Sequence, residues 1–110
     1  MQIGVRTYAM IQLRVLIQRE DDWWVARTLE RDLAGQGKDI DDALYELQRV
    51  LISHIFLDLE AARTPLSEVP AAPRDCHELW EQGITAVRRP GPWAGPRPLP
   101  PVEYDVRFAS

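Results

Sequence analysis

The chain has 110 residues, a net charge of −4 at pH 7 and a single cysteine. A length of this order supports one domain with a modest core. The acidic balance and the scattered basic residues argue against bulk nucleic-acid binding, which uses clustered Lys and Arg. One cysteine excludes an intrachain disulfide and favours a reducing compartment. No apolar run suits a membrane span and no secretory leader is evident, so we expect a cytoplasmic protein.

Two β-strands are predicted near the start of the chain. Apolar Leu13, Val15 and Ile17 alternate with polar residues over 12–20, which is the pattern of a half-buried strand. A polar turn follows, and residues 23–29 form a second β-prone run. The short gap favours an antiparallel hairpin.

The hairpin is flanked by two less defined segments and carries a pair of tryptophans. Residues 1–10 are either a flexible lead or a further strand, and 30–37 leave room for a short third strand. Trp23 and Trp24 are adjacent in a strand and therefore point to opposite faces. We expect one to anchor the core under a helix. The other is expected to lie on the open sheet face as an interface anchor, unless the C-terminal segment covers it.

A long helix is predicted for residues 40–62. Gly37 suits the tight turn that precedes it, because glycine tolerates positive φ. Asp39 is a good N-cap, since its carboxylate accepts hydrogen bonds from the first-turn amides. Asp41 and Asp42 place negative charge at the positive end of the helix dipole.

The helix carries more apolar surface than one sheet face requires. The stripe predicted to face the sheet consists of Ile40, Ala43, Leu44, Leu47, Val50, Leu51, His54 and Ile55. His54 is therefore interpreted as a packed core residue. A second stripe lies on a neighbouring flank and consists of Tyr45, Ile52, Phe56 and Leu59. This surplus predicts an oligomer interface, and the alternative is that the C-terminal segment folds back over it.

The segment after the long helix changes composition sharply. Residues 63–89 are predicted to form a loop and one short helix, which Asp75 caps and which runs to Gln82 with Gly83 as its stop. From 90 to 101 the repeated prolines favour an extended polyproline-type path.

The chain ends in a clean strand pattern at residues 102–108. A strand delivered by a stiff arm adds to the sheet edge of its own subunit or of a neighbour. Tyr104, Val106 and Phe108 are therefore further candidates for an oligomer interface. The expected regions are a core at 1–62, a loop with a short helix at 63–89, and an arm with a strand at 90–110 that is either in the same domain or swapped.

Candidate catalytic and metal-binding residues are few. Cys76, His77 and Glu78 are adjacent and point in different directions, and the sequence has no second ligand pair for a zinc site. Among the carboxylates, only Glu30 and Asp32 have no evident structural role. A magnesium-dependent nuclease that uses these two residues is the one catalytic alternative. We expect no cofactor, no metal and no catalysis.

Four short motifs follow one another between residues 12 and 60. They are Trp24-Val25-Ala26, Asp32-Leu33, Gln36-Gly37 and Asp41-Asp42-Ala43-Leu44. Their order, in a strand, a turn and a helix start, resembles the N-terminal domain of the HicB family of antitoxins. The family's usual Pro-Gly-Cys segment is missing, and its helix-capping Thr is replaced by Asp39. Residues 63–110 resemble neither of the family's DNA-binding modules, so DNA binding is not expected.

The resemblance implies an α+β fold, in which a small antiparallel sheet in the order β-β-β-α-β packs on one long helix. Such a fold is similar to a degenerate RNase H core without its metal site. The resemblance also implies a binding protein that neutralises a small, basic, HicA-like ribonuclease toxin, and the acidic net charge suits that partner. A homo-dimer or homo-tetramer is expected.

Partner binding is assigned to Trp23, Trp24, Glu30 and Asp32. An alternative function is an orphan or mobile-element-encoded inhibitor or adaptor that uses the same fold on a different target.

Overall fold

The computed structural model describes residues 11–90 and 102–109, which form an α+β fold around a five-stranded sheet. The elements are β1 (Ile11–Glu20), β2 (Trp23–Thr28), β3 (Ala34–Gly37), α1 (Ile40–Glu60), α2 (Arg74–Glu81), β4 (Ile84–Pro90) and β5 (Val102–Phe108). The strand order is β3-β2-β1-β5-β4. The α+β class is confirmed, and the sheet is mixed because β5 runs parallel to β1. No helix in the described part of the chain is long and apolar enough to cross a membrane.

The first three strands form an antiparallel meander. Glu20 lies opposite Trp23 in the β1–β2 pair. Trp24 lies opposite Gly37 in the β2–β3 pair. The hairpin and the short third strand predicted from the sequence are confirmed, whereas residues 1–10 lie outside the described residues.

The long helix begins where the sequence predicts. The Asp39 carboxylate accepts a hydrogen bond from the Asp42 amide at 2.8 Å, so it caps the helix as expected. The helix ends at Glu60, two residues before the predicted end.

Helix α1 lies directly on strand β3 because two strand residues have no side chain. A Cβ atom built on Gly35 would lie 2.5 Å from the Ala43 carbonyl oxygen and closer still to the Leu47 amide nitrogen. A Cβ atom on Gly37 would lie 2.5 Å from the Ala43 amide nitrogen. Helix backbone therefore occupies the space that side chains would fill at both positions.

The main core lies between α1 and one face of the sheet. Helix residues Ala43, Leu47, Leu51 and Ile55 are fully buried, as the predicted stripe requires. His54 is exposed, so its interpretation as a packed core residue is wrong. The core cluster also contains Leu13, Val15, Ile17, Ala26, Leu33, Leu66, Val102, Tyr104 and Val106.

A second, smaller cluster covers part of the opposite sheet face. Leu16, which breaks the alternation of β1, packs there with Leu29 from the loop after β2. Trp80 and Cys76 of α2 pack against these two leucines and complete the cluster. Side chains of β1 are therefore buried on both faces, which explains why apolar residues stand at both parities of this strand.

Helix α2 confirms the predicted short helix and corrects its cap. It spans Arg74–Glu81, and Pro73 occupies the N-cap position without a side-chain hydrogen bond. Asp75 lies in the first turn, where its carboxylate accepts from the Cys76 amide at 3.0 Å. The prediction of Asp75 as the cap is therefore wrong.

The terminal strand lies inside the sheet and belongs to the core. β5 pairs with β1 on one side and with β4 on the other. Tyr104 and Val106 are 4% and 3% exposed, and Phe108 packs against the same cluster. Of the two alternatives left open by the sequence, the structure shows the strand in the sheet of its own chain, where these three residues pack in the core, and a role for them between subunits stays a prediction. Burial raises the pKa of Tyr104 above its ordinary value, so its hydroxyl stays protonated at neutral pH.

Strand β4 was predicted as part of the 63–89 loop. It spans Ile84–Pro90 and pairs antiparallel with β5, with an irregularity in register between Thr85 and Val87. The predicted polyproline path over the rest of 90–101 lies outside the described residues.

A buried carboxylate organises the turn after α1. The Asp58 side chain accepts hydrogen bonds from the Leu66 amide at 2.7 Å and from the Arg63 guanidinium at 3.2 Å. Leu66 has a φ of 65° and is itself buried in the core. The carboxylate therefore holds a strained, apolar residue in place.

We expect Asp58→Ala to lower the free energy of unfolding by about 2 kcal/mol, because it leaves the buried Leu66 amide without an acceptor. Urea denaturation measures this change. The exposed neighbour Glu60 provides the control, since Glu60→Ala should change stability by less than about 0.5 kcal/mol. Equal stability of the two variants would contradict this role of Asp58.

Candidate protein-binding surface

Trp23 lies exposed at one end of the sheet. It is the first residue of β2, directly after the β1–β2 turn, and 42% of its surface is accessible. Since Trp24 pairs with Gly37, the end of β3 and the start of α1 lie at this same end. An exposed tryptophan beside two turns is the kind of side chain that anchors protein interfaces.

Exposed carboxylates lie on both turns at this end of the sheet. The β1–β2 turn and the start of α1 contribute Glu20, Asp21, Asp22, Asp39, Asp41 and Asp42, all exposed. Arg19 and Lys38 are the basic residues in these two segments. We call Trp23 together with these six carboxylates the acidic end. Its local charge is negative, which favours approach by a basic surface.

Trp24 does not share the exposed position of Trp23. It is half-buried and packs against the main core beneath α1. The Arg19 guanidinium lies 5.7 Å from its ring centroid, within the range of a cation–π contact. The expectation that the two tryptophans serve opposite faces is therefore confirmed. Phe108 does not cover Trp23, because it packs in the main core, and Trp93 lies outside the described residues.

Glu30 and Asp32 lie at the other end of β2 and have structural partners. Glu30 accepts from the Arg14 amide at 2.7 Å and from the Arg14 Nε atom at 2.5 Å. Asp32 lies 3.7 Å from the Arg27 guanidinium, and its amide donates to the Pro70 carbonyl at 2.7 Å. The prediction that these carboxylates have no structural role is therefore wrong.

The structure thus divides the four predicted partner-binding residues between two ends of the sheet. Trp23 belongs to the acidic end, whereas Glu30 lies beside a cleft of about 370 Å³ at the opposite end. Arg14, Glu103 and Asp105 also line this cleft. Over residues 11–90 and 102–109, no group of three or more His, Cys, Asp or Glu side chains is arranged to hold a metal ion.

The flank of α1 that was predicted as an oligomer interface is only partly exposed. Tyr45 is 59% exposed, while Ile52, Phe56 and Leu59 are half-buried. Leu57, which belongs to neither predicted stripe, is 60% exposed. Apolar periodicity along the helix does not predict this exposed leucine. The oligomer interface on this flank stays a prediction.

Comparison of the chain with protein-family models, with curated proteins and with solved structures found no match.

Proposed function

We propose that this chain is a non-catalytic protein-binding module, resembling a HicB antitoxin, that neutralises a small basic ribonuclease by direct binding. The single observation that carries the proposal is the acidic end. There, a large exposed aromatic side chain lies at the same end of the sheet as exposed carboxylates from two turns. Aromatic anchors combined with charged residues at the rim are a common arrangement at protein interfaces.

The path of the chain also supports this proposal. Three antiparallel strands are followed by a long helix, and a later strand runs parallel to β1 beside it. That order contains the β-β-β-α-β path implied by the resemblance, with α2 and β4 inserted before the last strand. The pairing of Glu30 and Asp32 with arginines favours a binding role over the nuclease alternative, because it gives both carboxylates a structural role.

The acidic end would act on a basic partner in two ways. Its carboxylates speed the encounter and make it sensitive to salt, since exposed charges are screened over about 8–10 Å at physiological ionic strength. Trp23 supplies apolar area that is withdrawn from water in the complex. Binding of this kind occludes the ribonuclease surface without any chemistry on the part of this chain.

Reversing charge at the acidic end tests the proposal. The binding partner in this test is a basic ribonuclease captured by the wild-type chain from native cell extract. We expect the double substitution Asp21→Lys and Asp22→Lys to weaken its binding at least tenfold, mainly through slower association. Surface plasmon resonance at two salt concentrations measures both effects. The wild-type chain should lose affinity as salt rises, and the variant should be much less sensitive.

The matched control makes the same charge change elsewhere. Glu60 and Glu68 are exposed and lie at and beyond the far end of α1, so Glu60→Lys with Glu68→Lys should leave the affinity within about twofold. Equal loss of binding in both double variants would show that net charge alone is responsible. That result would overturn the assignment of the acidic end.

A further inference from the structure

We propose that the outer edge of β3 receives an extended strand of the partner protein, a strand that carries basic residues where it meets the start of α1. This inference rests on the proposed function, because it names how the same partner would bind next to the acidic end. Strand addition of this type uses main-chain hydrogen bonds for affinity and side chains for specificity.

The outer edge of β3 offers unpaired backbone groups. Within residues 11–90 and 102–109, β2 is the only strand that pairs with β3. Thr28 and Leu33 continue the β2–β3 ladder, and the Thr28 amide donates to the Leu33 carbonyl at 2.9 Å, so Thr28 and Leu33 form a hydrogen-bonded pair. Bonded and non-bonded pairs alternate along an antiparallel ladder. The N–H and C=O groups of Ala34 and Gln36 therefore point away from β2, toward the free edge.

The two edges of the sheet differ in how they discourage pairing. β4 has an irregular register between Thr85 and Val87 and ends in Pro90. Bulges and prolines are the usual devices that keep an edge strand from pairing with other chains. β3 has a regular register and contains neither a proline nor a charged residue. Of the two edges formed by the described strands, β3 is therefore the one better suited to receive a further strand.

The β3 edge is also held rigid before any partner arrives. Helix α1 packs against the backbone at Gly35 and Gly37, and β2 pairs along the whole length of the strand. A fixed template loses little conformational freedom on binding, which favours association.

Charge defines the chemistry of the incoming strand. The strand itself is neutral, and Lys38, Asp39, Asp41 and Asp42 follow it, so the net charge at the start of α1 is negative. At the other end of β3, Asp32 is balanced by Arg27. A complementary segment is therefore neutral where it pairs with β3 and basic where it meets the start of α1. Trp23 lies beside the end of β3, so the same segment reaches the acidic end.

A synthetic probe tests this edge without the natural partner. The probe is a cyclised β-hairpin peptide whose outer strand reads Lys-Thr-Val-Thr-Val-Lys, and the readout is amide hydrogen exchange of the full chain by NMR. The probe should slow exchange at Ala34 and Gln36 at least tenfold, because these amides gain acceptors. A peptide with Glu in place of Lys should slow exchange much less.

Two variants of one residue provide the matched control. Gln36→Pro removes an outward N–H without removing a bond to β2, so it should abolish the effect of the probe on Ala34. Gln36→Thr keeps the N–H and should preserve that effect. Unchanged exchange with the wild-type chain, or equal binding of the probe by the proline variant, would overturn the proposal.

The same measurements separate this inference from the proposed function. If amide exchange at Ala34 and Gln36 slows as the protein concentration rises, without the probe, the edge pairs with a second copy of this chain. That result would overturn the proposal of a strand from a partner protein. A captured ribonuclease whose binding requires Asp21 and Asp22 but is unaffected by Gln36→Pro would support the proposed function. The same result would refute strand addition at the β3 edge. Probe binding without any captured basic ribonuclease would refute the proposed function alone.

Discussion

Gly35→Val is expected to lower the free energy of unfolding by about 3 kcal/mol, the upper range for overpacking. The new Cβ atom would lie 2.5 Å from the Ala43 carbonyl oxygen and closer still to the Leu47 amide nitrogen. Both are backbone atoms of a helix, so they cannot rotate away as a flexible side chain would. Either α1 shifts away from β3, or the strand leaves the sheet.

The control for Gly35→Val is the adjacent position on the same strand. Ala34 is exposed, so Ala34→Val places a valine on the same strand without meeting the helix and should change stability by less than about 0.5 kcal/mol. Chemical denaturation followed by circular dichroism measures both variants. A loss below about 1 kcal/mol at Gly35 would contradict the close helix–strand contact.

Trp80→Ala should lower the free energy of unfolding by a comparable amount, through lost packing on the other face of the sheet. Trp80 is 3% exposed and packs with Leu16 and Leu29. The Arg107 guanidinium lies 4.5 Å from its ring centroid and also donates to the Trp80 carbonyl at 3.0 Å. Truncation of a buried tryptophan costs about 3–5 kcal/mol, and here it also removes the anchor that holds α2 on the sheet.

Trp23 supplies a control of the same residue type. Its side chain is partly exposed and lies outside both core clusters, so Trp23→Ala should lower stability by no more than about 1 kcal/mol. Thermal denaturation of the two variants makes the comparison. Equal losses would mean that the second cluster does not stabilise the fold. A folded Trp23→Ala variant is also required for the binding measurements.

Local chemistry explains the parts of the fold that were predicted correctly. Alternation over 12–20, the turn after it and the Asp39 cap each depend on residues within a few positions of one another. The same holds for the alternating strand at 102–108. These local patterns predict whether each segment forms a strand, a turn or a helix, but they do not predict its position in the fold.

Two of the differences from the predictions have the same cause, which is contact between residues far apart in the chain. Glu30 meets Arg14 across 16 positions, and no local pattern shows that pair. Tyr104 and Val106 have an apolar face, as a subunit interface would, yet β5 lies between β1 and β4 and turns that face to α1. His54 has helical spacing but lies exposed on α1, because periodicity does not set the width of the buried face.

The sequence predicts only part of the candidate surface. The exposed tryptophan follows from adjacency in a strand, since one of Trp23 and Trp24 has to face away from the helix. The carboxylates at 39–42 were explained by helix capping alone. These carboxylates lie at the same end of the sheet as the β1–β2 turn because Trp24 pairs with Gly37. The sequence of a strand of only four residues does not predict that register.

The proposed binding of a small basic ribonuclease by the acidic end is tested most directly by affinity capture. The wild-type chain and a triple variant (Trp23→Ala, Asp21→Lys, Asp22→Lys) are immobilised, and native cell extract is passed over both. Captured proteins are identified by mass spectrometry and assayed for RNA cleavage before and after release with salt. We predict that the wild-type chain alone retains a small basic protein whose ribonuclease activity appears only on release. Capture of no such ribonuclease, or equal capture by both baits, would contradict the account.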